Sequence, residues 1–111
     1  MEIKISETSN IPVIEVSGEV DLYQTNMIRD KVTELIGENK NKAIVNMSGV
    51  SYIDSSGLGA LISCRTNMKK AGGDLKLSSL TETVRSVLEI TKLSQLFDIY
   101  ETDQEAVQGF S

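Results

Sequence analysis

Residues 52–61 read YIDSSGLGAL: an aspartate, two serines and two glycines leading into an apolar run. Hydroxyls in such a place have two uses. The first is structural. Asp54, Ser55 and Ser56 are all good caps for a helix beginning here, and Gly57 and Gly59 would let that helix pack close to a sheet. The second is chemical. A helix N-terminus offers unpaired backbone N–H groups and the positive end of the helix dipole, so a phosphate on Ser55 gains hydrogen bonds there instead of straining the fold. Spacing alone leaves both uses open.

Other chemistries fail on the same stretch. A dinucleotide loop, G-x-G-x-x-G, needs a third glycine where Ile62 stands, and no Gly-Lys-Ser/Thr follows to make a phosphate-binding loop. Asp54 lacks an acidic pair after the first strand, so a receiver-type acidic pocket is poorly supported. The chain has no histidine, which removes Ser-His-Asp and Cys-His nucleophilic systems and His-rich zinc sites. No cofactor is expected.

The one cysteine, Cys64, has no second thiol to pair with; it reads as a small core residue on a helix face in a reducing cytosol. Sixteen acidic side chains face eleven basic ones, a net charge of −5. That disfavours nucleic acid and anionic membrane surfaces as partners. The opening MEIKISETSN lacks the basic start and apolar stretch of a signal peptide, and no apolar run approaches membrane-spanning length. A cytoplasmic protein is expected.

The elements that must position the 52–61 stretch follow from periodicity. EIKIS alternates, with Ile3 and Ile5 on one face, and PVIEVSG reads as a second strand; the turn signal TSN joins them as a hairpin. In DLYQTNMIRDKVTELIGENK, residues Ile28, Val32, Leu35 and Ile36 form one helical stripe, Gly37 sits at the expected stop, and Asp21 or Thr25 caps the start. KAIVNM reads as a central strand buried on both faces. A helix from Ser55 presents Leu61, Cys64, Met68 and Ala71 on one face and ends at Gly72-Gly73. DLKLSS is a strand, Thr81 opens a helix with Val84, Val87, Leu88 and Thr91 on one side, LFDIY is a last strand, and Thr102 with Glu105 has capping-box spacing before a final helix.

The order ββαβαβαβα in 111 residues predicts one α/β domain, residues 1–111, with a mixed, mostly parallel sheet of about five strands and four helices. Function in such sheets gathers after the carboxyl ends of strands, where residues 51–57 lie as a loop. Met27 and Met47 are expected as core filler, the lysines of MKKAGGDLK as a solvated helix end, and Glu15 and Glu19 as surface charges. Leu58 is open between two places: exposed as an apolar anchor for a partner, or buried against a neighbouring helix.

GEVDLY at 18–23, followed by VSYIDSSGLGAL at 50–61 after a short strand, resembles the anti-sigma factor antagonist family, built on the STAS domain. The resemblance spans essentially the whole chain, and D-S-S-G-L-G is its most specific part. It implies a binding protein and not an enzyme. In that family the unphosphorylated antagonist binds an anti-sigma factor, itself a serine kinase, and frees the sigma factor. The kinase phosphorylates the antagonist and loses it, and a phosphoserine phosphatase resets the cycle. Carried onto this chain, the acceptor is Ser55, with Ser56 as a cap or minor acceptor, and the partner surface draws on Asp21, Tyr23, Asp54, Ser55, Ser56, Gly57 and Leu58. Two further readings stay beside it: a non-switching STAS docking module of a transporter or lipid-export complex, and a small enzyme using Asp54 and Ser55.

Overall fold

The computed structural model describes residues 2–20 and 22–110, with side chains at 3–20 and 25–110. Strands β1 (Glu2–Thr8) and β2 (Ile11–Val20) form the expected antiparallel hairpin. Ser9 and Asn10 connect them at φ 52° and 67°, the doubly left-handed turn that matches the twist of two-residue hairpins. Helix α1 (Leu22–Gly37) leads to β3 (Lys42–Ile53), then α2 (Ser55–Lys70), β4 (Asp74–Ser78), α3 (Glu82–Ile90), a 3-10 turn (Leu93–Leu96), β5 (Ile99–Tyr100) and α4 (Asp103–Gly109). The sheet order is β1-β2-β3-β4-β5, parallel throughout except for β1.

Helices cover both faces of this sheet. Ile28, Val32 and Leu35 of α1, Leu61, Cys64 and Met68 of α2, and Val84 and Leu88 of α3 enter one core with Val45 and Met47 of β3. On the opposite face Ile44 of β3 and Val13 of β2 meet Ala106 of α4. The alternation along β3 therefore buries both of its sides, as its β-branched run implied. Each of the larger aliphatic side chains contributes about 1.5–3 kcal/mol by leaving water.

Several local expectations change. β3 does not stop at Met47 but runs on to Ile53, following β2 through two register shifts. Met47 is buried, but Met27 is 42% exposed on α1 and fills no core. Ile5 is also partly exposed, because edge strand β1 has a neighbour on one side only. Ala71 and Thr91 lie exposed at or beyond the ends of α2 and α3, where the helical face has already turned from the sheet. LFDIY is a strand only at Ile99–Tyr100; Lys92, at φ 63°, ends the α3 path and sends the chain into the 3-10 turn.

Lys76 is the largest departure. It is 4% exposed, unlike its solvated neighbours Lys69 and Lys70. Its ammonium lies 2.7 Å from Asp98 and 3.6 Å from Asp74, and over the rings of Tyr100 and Phe110 at 5.6 and 4.8 Å. A strand lysine is buried here because both carboxylates and two aromatic faces receive its charge.

Candidate functional site

β3 and α2 meet with a single residue, Asp54, between them. Ile53, the last strand residue, is in the core, and the Asp54 amide donates to the Val20 carbonyl of β2 at 3.4 Å. The Asp54 backbone is extended (φ −100°, ψ −177°), and its carbonyl accepts the first helical bond, from Leu58 N–H at 3.0 Å. Asp54 Oδ1 accepts from Gly57 N–H at 3.0 Å, which makes it the helix N-cap. The same oxygen accepts from the Ser56 hydroxyl at 2.5 Å. These bonds, the Ser56 hydroxyl foremost and the Gly57 amide next, hold the Asp54 carboxyl below its ordinary titration range. The carboxylate is therefore charged at neutral pH.

The two serines part company at this point. Ser56 is half-buried with its hydroxyl held by Asp54, whereas Ser55, the first residue of α2, is exposed. No hydrogen bond engages the Ser55 hydroxyl among the described residues. It stands at a helix start, where the peptide dipoles favour negative charge.

Gly57 is needed for close approach. A Cβ there would meet Ile53 Cγ1 at 2.7 Å, Val20 Cγ1 at 3.0 Å and the Val20 carbonyl at 3.1 Å. The first turn of α2 thus presses on the ends of both β2 and β3, which are in register at Val20 and Ile53. This contact brings the end of β2, at Val20, beside the DSSGLG stretch. Asp21 and the Tyr23 side chain lie outside the described residues. Thr25 is buried inside the first turn of α1, not before it, so it is no helix cap.

Two of the expected surface residues are not on the surface. Gly57 is buried, and Leu58 is 7% exposed within the main core, which resolves its two places in favour of packing. Leu58 precedes Leu61 by three residues and shares its inward face. Gly59, grouped with Gly57 as a packing glycine, lies on the exposed side, and a Cβ there would meet nothing within 4 Å. The accessible rim is Ser51, Tyr52, Ser55 and Gly59. Tyr52, 50% exposed and opposite Glu19 of β2, went unnoticed in the sequence; alternation does not give it, because β3 shifts register here and leaves Ser51 and Tyr52 both exposed between the buried Val50 and Ile53.

Cys64 is buried in the α2 core face, and burial pushes its thiol up to about 11. It is a packing residue with little thiolate at neutral pH. No helix among the described residues is long and apolar enough to cross a membrane.

Residues 2–106 match the family model of the STAS domain. The chain is 31% identical over 108 residues to the anti-sigma-B factor antagonist of Bacillus subtilis (strain 168), covering 97% of this chain and 98% of the relative. It is 23% identical over 108 residues to the anti-sigma F factor antagonist of Paenibacillus polymyxa, covering 96% and 92%. Among solved structures, the anti-sigma factor antagonist SpoIIAA in its unphosphorylated form superposes with a TM-score of 0.81 at 25% identity, covering 96% of this chain and 93% of that one.

Proposed function

The chain belongs to the STAS domain family of anti-sigma factor antagonists, and from that premise we propose that it binds an anti-sigma factor and is switched by phosphorylation of Ser55. The single observation that carries the reading is the exposed Ser55 hydroxyl at the first position of α2, which makes no hydrogen bond among the described residues. In this scheme the partner is a serine kinase, unphosphorylated chain displaces the sigma factor from it, and a phosphoserine phosphatase restores the binding form. The protein acts in the cytoplasm as a ligand and a substrate, not as an enzyme.

The switch works by charge at an interface. Phosphorylation adds roughly −1.5 to −2 charges at neutral pH. The helix start accommodates that charge within the domain, so no refolding is needed. The neighbouring Asp54 carboxylate is already ionised, and the phosphate concentrates negative charge where the partner touches down. Like-charge juxtaposition or an unpaired buried charge costs on the order of several kcal/mol. At about 1.4 kcal/mol per decade, that weakens binding by roughly a hundred-fold or more.

Docking draws on Ser51, Tyr52, Asp54, Ser55 and Gly59 at the rim, with Asp21 and Tyr23 included on the family resemblance alone. Gly57 and Leu58 contribute by setting the position of the helix start and not by contact. The antagonist reading is favoured over a docking module of a larger assembly by the Bacillus relative, whose own length is matched over 98%. The test is incubation with a candidate anti-sigma factor kinase and ATP, followed by mass-spectrometric mapping. Phosphate confined to Ser55 supports the reading, and an unmodified Ser55 with intact partner binding counts against it.

A further inference from the structure

Two hydroxyls adjoin in the D-S-S stretch, and chemically they are identical. What separates them is one carboxylate oxygen. Asp54 Oδ1 takes the Ser56 hydroxyl at 2.5 Å and the Gly57 amide at 3.0 Å, while the Ser55 side chain is exposed with no hydrogen-bond partner among the described residues. We propose that Asp54 is the residue that selects the phosphoacceptor: by holding the Ser56 hydroxyl it withdraws Ser56 and leaves Ser55 as the reactive group.

The proposal rests on the reading of this loop as a kinase substrate and specifies its regulation. In the transfer, the serine Oγ attacks the γ-phosphorus of the nucleoside triphosphate held by the kinase. The Oγ–P bond forms, the bond from phosphorus to the β,γ-bridging oxygen breaks, and the diphosphate leaves. The hydroxyl proton passes to a base of the kinase. Ser55 can present its oxygen and release its proton outward, since no hydrogen bond among the described residues engages it. Ser56 must first break a hydrogen bond to an ionised carboxylate, and its half-buried oxygen would receive the phosphoryl group directly against that carboxylate. Asp54 does not touch the reacting atoms of Ser55; it is a specificity-determining residue acting through Ser56.

The test compares phosphate distribution over Ser55 and Ser56 by mass spectrometry, using the kinase that modifies the wild-type chain, with ATP. Glycine is itself a tolerated N-cap, so Asp54→Gly keeps the helix start while releasing Ser56. The wild type is expected to carry its phosphate on Ser55 with only a trace on Ser56, and Ser55→Ala only that trace. Asp54→Gly is expected to raise the Ser56 share by about tenfold, the effect of losing one charge-assisted hydrogen bond. The double variant Ser55→Ala with Asp54→Gly should regain phosphate, at Ser56. An unchanged distribution in folded Asp54→Gly, with Ser55 still the acceptor, overturns the selection proposal alone. A wild-type chain with no phosphate on either serine overturns the functional reading as well. Where the Asp54 variants take up no phosphate at all, carbon-detected NMR titration of Ser56→Ala decides. An Asp54 carboxyl that moves to higher pH supports the proposal, and one that does not move overturns it.

Discussion

The amide of Asp54 donates to the carbonyl of Val20 at 3.4 Å, fastening the start of α2 to the end of β2. Gly57 makes that fastening possible, because its missing side chain lets the helix close onto Val20 and Ile53. Gly57→Ala should therefore destabilise the fold by about 1–3 kcal/mol, as overpacking does. Urea unfolding followed by circular dichroism measures it. Gly59→Ala is the control: with open space around it and a helical backbone, it should be neutral or stabilise by up to about 1 kcal/mol. Equal losses at both positions would remove the close-approach account.

Ser55→Ala is expected to leave the unfolding midpoint unchanged, since the exposed hydroxyl makes no hydrogen bond within the described domain. It should bind the anti-sigma factor as the unmodified protein does. Ser55→Asp brings one negative charge to the same place and should weaken binding by roughly ten- to a hundred-fold. Isothermal titration calorimetry separates the two. Equal affinity for the Ala and Asp variants would detach the switch from position 55.

Acid should loosen the helix start. The folded-state carboxyl of Asp54 titrates below its ordinary value of 3.8, so its contribution is present above that pH and is lost as pH falls through the folded value. Asp54→Asn keeps a capping oxygen without the charge. The gap in unfolding midpoint between wild type and Asp54→Asn should be constant near neutrality and close below pH about 4. A gap that persists undiminished at pH 2 would show that the charge of Asp54 is irrelevant to stability.

Much of this arrangement was legible in the residues, and the gaps have physical causes. The stripe Ile28, Val32, Leu35 and the alternation through β2 and β4 gave element types and order, because each is a local period that the buried faces reuse. The reach of β3 was not legible: Ser48, Gly49 and Ser51 interrupt its apolar run, and pairing with β2 extends the strand past them. Lys76 read as solvent-facing because its partners Asp98, Tyr100 and Phe110 come from later in the chain. The site was legible as a set of residue types. Which hydroxyl was engaged was not, since that depends on where the Asp54 side chain points.

Cys64 offers a probe of opening that is independent of the partner. Buried, with its thiol pushed up to about 11, it should resist Ellman's reagent at pH 8 in the native protein and react in full in denaturant. Stoichiometric reaction within seconds under native conditions would contradict the packing of α2 on the sheet.

The far end of the domain makes a separate demand. A Cβ on Gly109 would run into the Tyr100 ring and its hydroxyl, so Gly109→Ala should displace the end of α4 and cost about 1–3 kcal/mol. Because α4 packs on the opposite face of the sheet from α2, phosphorylation of Ser55 in the folded variant should proceed at the wild-type rate. Loss of modification without loss of fold would reveal coupling through the sheet.

One residue joins β3 to α2, and both flanking elements are anchored. So short a junction has no slack with which to stretch out along an enzyme's cleft. Whatever modifies Ser55 must read it in place, as a raised point on a fixed relief, and must bring a shallow, open mouth to it. A free dodecapeptide copying this stretch, lacking the pedestal beneath, would be a poor imitation of the protein.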